Sequence, residues 1–158
     1  MTLMLELRNI FEAIYISGNK ETIKRCIKFY EDAINKAKTN PNTSSDELAE
    51  AYTWIVSASF QLGDLEKAIQ ATKIGIDLTP SPAFQGVLYN NQAAAYALNG
   101  DKNSAKKSLE KALEYATIAQ NPILFDSCRK NLLILESEEK ITQVNDVCLN
   151  NQDKINFG

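Results

Sequence analysis

One stretch of this chain repeats another. Aligned on two Gly-Asp steps, Ala51-Tyr52...Ile55-Val56...Ser59-Phe60-Gln61-Leu62-Gly63-Asp64-Leu65-Glu66-Lys67-Ala68-Ile69 matches Leu88-Tyr89...Gln92-Ala93...Tyr96-Ala97-Leu98-Asn99-Gly100-Asp101-Lys102-Asn103-Ser104-Ala105-Lys106, 37 residues further on. A unit of that length is a single supersecondary element. It cannot bury its own apolar face and has to stack on its neighbours. Apolar residues recur at three and four around each Gly-Asp step and elsewhere: Leu3, Leu7, Ile10, Phe11 and Ile14, then Ile23, Cys26, Ile27, Tyr30 and Ile34. That period is helical. With no sustained two-residue alternation, no strand is predicted. Helices are predicted over 3–17, 20–38, 45–61, 64–78, 83–98, 101–118 and 122–137, so the fold class is all-α. The Gly-Asp steps leave almost no linker, so consecutive helices must fold back antiparallel.

Local signals support these boundaries. Gly18, Pro41, Gly63, Pro80, Pro82, Gly86, Gly100 and Pro122 read as punctuation between helices, with Gly75 the exception. Ser44 is placed to cap the helix that starts at 45, with Glu47 reaching back as in a capping box. Thr79-Pro80-Ser81-Pro82 ends the helix before it, because a proline disfavours helix at the preceding residue.

Composition narrows the function. The 158 residues hold 17 Lys and Arg against 20 Asp and Glu, a net charge of -3, and no histidine. The only arginines are Arg8, Arg25 and Arg129, too few to concentrate positive potential for a nucleic-acid backbone. Without histidine, the commonest general base and metal ligand are missing, which argues against an enzyme and against a metal or other cofactor. Cys26, Cys128 and Cys148 fit neither a disulfide framework nor a metal clip. Cys26 and Cys128 are expected to be buried apolar residues. No run of 18 apolar residues occurs, so a membrane is not expected as a partner and the default location is cytoplasmic.

The duplicated unit resembles the tetratricopeptide repeat (TPR). Tyr52 and Tyr89 stand at that family's tryptophan, Val56 and Ala93 at its glycine, Ala68 and Ala105 at its small crossing residue, and Gly75 and Ala112 at its second small position. Pro80 matches the terminal proline, where the later copy has Thr117, and Ser59 replaces the aromatic that Tyr96 retains. Residues 4–38 fit in looser register, and 122–137 supply a further first helix through Phe125, Cys128 and Leu132. Copy spacings of 45, 37 and 36 residues exceed the family's usual length of about 34. The resemblance implies a right-handed superhelix of antiparallel helix pairs, an α-solenoid of about three repeats plus a C-terminal capping helix. It divides the chain into a repeat domain, 1–138, and a capping helix and tail, 139–158.

The resemblance also implies that the first helices of the pairs line a concave groove. Positions not needed for packing are then Thr53, Trp54, Ser57, Phe60 and Gln61 in one copy, Asn90, Asn91, Ala94, Ala97 and Leu98 in the next, and Asp126 and Lys130 on the following first helix. An aromatic beside side-chain amides suits recognition of a polypeptide segment. The lysine and asparagine pattern with which some members hold a chaperone's C-terminal carboxylate is met only at Asn91. Lys20, Lys24 and Lys28, and Lys102, Lys106, Lys107 and Lys111, are interspersed with Glu and read as solvated faces.

The sequence therefore predicts a non-catalytic interaction module whose partner is a protein or peptide. The alternative is a structural scaffold that self-associates as a homo-oligomer through outer faces and open ends. Ile155 and Phe157, near the end of the chain, could instead enter its own groove.

Overall fold

A computed structural model describes the backbone of residues 19–145 and the side chains of residues 19–137. Within these, the chain forms six helices and no strand: α1 (Lys20–Lys38), α2 (Ser45–Leu62), α3 (Leu65–Asp77), α4 (Pro82–Leu98), α5 (Lys102–Ile118) and α6 (Pro122–Asn145). The first five match the predicted spans to within one residue at each end. The helix predicted over 3–17 lies outside the described residues.

Two expectations need correcting. Helix α6, predicted to end at 137, continues to Asn145. Ser137-Glu138-Glu139-Lys140 contains neither glycine nor proline to stop it. The remainder of the expected tail, residues 146–158, lies outside the described residues. Gly86 is not punctuation but a buried residue inside α4. A Cβ there would come within 2.7 Å of Leu124 Cδ2 on α6 and 3.5 Å of the Ala112 carbonyl oxygen on α5, so the missing side chain lets three helices converge.

The Gly-Asp steps work in two stages. Gly63 and Gly100 adopt positive φ, 73° and 83°, which glycine reaches without steric cost. Each closes a Schellman turn: Gly63 N–H donates to the Phe60 carbonyl and Asp64 N–H to that of Ser59, and Gly100 and Asp101 repeat the pattern on Ala97 and Tyr96. The aspartate then caps the next helix. Asp64 Oδ1 accepts from Lys67 N and Asp101 Oδ1 from Ser104 N, both at 3.1 Å. Ser44 caps α2 by accepting from Glu47 N at 3.1 Å, and its hydroxyl donates to the Glu47 carboxylate at 3.4 Å.

These turns set α2 against α3 and α4 against α5, and successive pairs stack through α3 on α4 and α5 on α6. Each first helix also touches the next, α2 with α4 and α4 with α6. One apolar cluster centres on α1, α2 and α3, with Tyr30, Ile34, Val56 and Ala68 buried. A second joins α4, α5 and α6 through Ala93, Leu109, Ala112 and Cys128. Tyr96 packs against both. Across the junction, Gln92 Nε2 donates to Thr72 Oγ1 at 3.3 Å, and Ser108 Oγ donates to Gln92 Oε1 at 2.9 Å. This buried polar chain ties α3, α4 and α5 into one register, since each group would be costly to bury alone.

Candidate functional site

The two tyrosines at the repeat's opening position are committed to packing. Tyr52 is buried, its hydroxyl accepts from Lys38 Nζ at 3.0 Å, and the same ammonium lies 5.5 Å from the ring centroid. Tyr89 stacks on Tyr115 of α5 with centroids 5.7 Å apart and planes 8° from parallel. Burial pushes the Tyr89 phenol above its ordinary range, reinforced by the neighbouring Tyr115. Ser59, at the position of the missing aromatic, is buried and donates to the Ile55 carbonyl at 2.7 Å.

What remains open on α2 is a strip at helical spacing: Glu50, Thr53, Ser57 and Gln61, with Gln61 exposed and the others half-buried. Trp54 and Phe60 flank it, half-buried against the first apolar cluster. On α4, Val87 and Asn91 are half-buried and Leu98 is exposed. Because α2 touches α4, the two strips belong to neighbouring first helices.

Two predicted groove residues are not available on the open surface. Asn90 is 3% exposed, and its Oδ1 accepts from Asn131 Nδ2 at 3.1 Å. Ala94 is 5% exposed. Both are turned into α4's packing. Asp126 and Lys130 are exposed on α6, and the structure does not bring them into the α2 strip. Glu50 and Val87 were not singled out, although each extends its strip by one turn: Glu50 lies three before Thr53, and Val87 four before Asn91. That spacing was the signal available.

Reactive chemistry is sparse. Cys26 and Cys128 are buried, and burial pushes both thiols up, Cys128 to about 11. Neither is a thiolate at neutral pH. Cys148 lies outside the described residues. Among the described residues no group of three Cys, Asp or Glu could hold a metal ion, and no helix is long and apolar enough to cross a membrane. The lysine faces carry exposed helical ion pairs, Lys24 with Glu21 and Lys111 with Glu114, both 3.5 Å.

The tetratricopeptide-repeat family profile matches residues 49–81 and 87–117, which are α2 with α3 and α4 with α5. Residues 49–81 and 87–117 are two tetratricopeptide repeats. Helices α1 and α6 flank the two matched repeats. No curated protein matches the chain in sequence. Among solved structures, it is similar to BtubC (BKLC) from P. vanneervenii, with a TM-score of 0.67 at 13% identity. The likeness covers 89% of this chain and 65% of that one, so this chain spans just under two thirds of its neighbour's length. At that identity it is the fold that is shared. Tetratricopeptide repeats suggest a role in protein–protein interaction or scaffolding.

Proposed function

We propose that the α2 and α4 strips form a groove that binds a segment of a partner protein. The observation that carries this reading is the makeup of the strips. The α2 strip carries hydroxyls and an amide (Thr53, Ser57, Gln61), the α4 strip an amide and two apolar side chains (Asn91, Val87, Leu98), and half-buried aromatics (Trp54, Phe60) flank the α2 strip. Side-chain hydroxyls and amides can pair with the backbone N–H and C=O groups of an incoming segment, whether extended or helical, and the aromatics supply contact area at low entropic cost. Glu50 is the acid within the α2 strip, so a segment with a basic residue near that end suits it. The groove works by shape and hydrogen bonding, without covalent chemistry.

The test leaves the core alone. Ser57→Arg/Asn91→Arg places two long cations on the strips at positions that are only half-buried. Affinity capture from the native lysate with wild type, and again with this variant, should lose a specific partner in the variant while the melting temperature is unchanged. Retention of every captured partner by the folded variant would refute the groove. Trp54→Ala is less informative, because the indole also packs on the core.

A further inference from the structure

Helix α6 carries a stripe that the groove does not use. Ile123, Asp126, Lys130 and Leu133 recur at intervals of three, four and three, on the side of the helix away from the buried Leu124, Cys128, Asn131 and Leu135. All four are exposed, Ile123 by 83% and Leu133 by 55%. Neither Asp126 nor Lys130 forms an ion pair with another described residue. The spacing is that of the seam along which two helices pair.

The order of chemistry along the stripe is apolar, acidic, basic, apolar. It reads as its own complement when reversed. If two such helices lie antiparallel about a twofold axis level with residue 128, Ile123 meets Leu133 of the partner subunit, and Asp126 meets Lys130 of the partner subunit. The same two contacts recur on the other side of the axis. A parallel pairing would instead set aspartate on aspartate and lysine on lysine. Opposite charges at seam positions select orientation in this way, and a self-complementary patch is what a twofold interface requires.

We propose that two copies of this chain associate through α6, antiparallel, with the Ile123-Asp126-Lys130-Leu133 stripe as the interface. Asp126 and Lys130 then keep a binding role, directed at a second copy. The inference does not rest on the α2–α4 groove, whose residues take no part in it.

Sedimentation velocity on the full chain, over a concentration series reaching about 100 µM, tests it. A reversible monomer–dimer equilibrium is expected. Asp126→Lys and Lys130→Asp should each weaken it by about tenfold or more, because each sets like charges against each other twice across the axis. An equimolar mixture of these two variants should associate again, since each then meets its complement, and so should the double variant Asp126→Lys/Lys130→Asp. Leu133→Ser, which changes no charge, should also weaken the dimer. Circular dichroism confirms that these surface variants are folded. A chain that stays monomeric throughout overturns the proposal, as does a dimer that the single charge variants leave intact or a mixture that fails to associate. Ser57→Arg/Asn91→Arg should not move this equilibrium, so failure of the groove and failure of the dimer are told apart.

Discussion

The Asn131 side-chain amide donates to Asn90 Oδ1 at 3.1 Å, joining α6 to α4 between two buried side chains. Asn90 is therefore part of what holds successive first helices together. Asn90→Ala takes away the acceptor of a buried amide, for which a cost of about 1–3 kcal/mol is expected. Equilibrium denaturation should show that loss as a lower midpoint with unchanged slope. A neutral result would mean that the junction does not depend on this bond.

The Thr72–Gln92–Ser108 chain makes a sharper prediction. Replacing Gln92 with leucine removes the acceptor of Ser108 Oγ and the donor to Thr72 Oγ1, which still donates to the Ile69 carbonyl at 2.6 Å. Gln92→Leu should cost about 1–3 kcal/mol, and Ser108→Ala should cost less. The double variant should be more stable than the sum of the two losses allows, because removing both partners leaves no buried hydroxyl in want of an acceptor. Additive losses in the double-mutant cycle would show that the two groups are not coupled.

The architecture was legible because its determinants are local. Helical spacing, the Gly-Asp step and the Ser44 cap act within a few residues, and each is written where it operates. Groove exposure was only partly legible because it depends on how closely neighbouring helices approach. Asn90 and Ala94 sit on α4 at positions closed by long-range packing, Asn90 through its bond to Asn131 of α6. Gly86 was misread for the same reason: its value lies in Leu124, which is 38 residues away in the chain. The stripe on α6 is present in the sequence, but its meaning depends on knowing which side of that helix is left uncovered.

A turn that the sequence concealed supplies a stabilising substitution. Between α5 and α6, Gln120 N–H donates to the Thr117 carbonyl and Asn121 N–H to that of Ala116, both at 3.1 Å, with Gln120 at φ 53°. Asn121 Oδ1 then caps α6 by accepting from Leu124 N at 3.1 Å. This is the Gly-Asp arrangement of the other turns, with Gln and Asn in its two places. A side chain at positive φ costs about 1–2 kcal/mol, part of which glycine returns as greater freedom of the unfolded chain. Gln120→Gly should therefore stabilise by about 0.5–1 kcal/mol, while Gly100→Ala at φ 83° should destabilise. Thermal melts of both variants check the signs, which should be opposite.

Asp101 links the Gly100 turn, between α4 and α5, to pH. Hydrogen bonds from Ser104, through its side chain and its backbone N–H, hold the Asp101 carboxyl below its ordinary value of 3.8, with Lys107 adding a smaller pull in the same direction. A carboxyl whose pKa is lower folded than unfolded stabilises the fold fully above the unfolded value, and that stabilisation fades as pH falls through the folded one. Asp101→Asn keeps an oxygen for the cap but has no proton to gain. Melting temperatures from neutral pH down to about pH 2.5 should show wild type losing its advantage over the Asn variant only below about pH 4. Asp101→Ala, without the cap, should be less stable than both at neutral pH. Wild-type and Asn curves that run parallel down the acid limb would show that the charge on Asp101 contributes nothing to the turn.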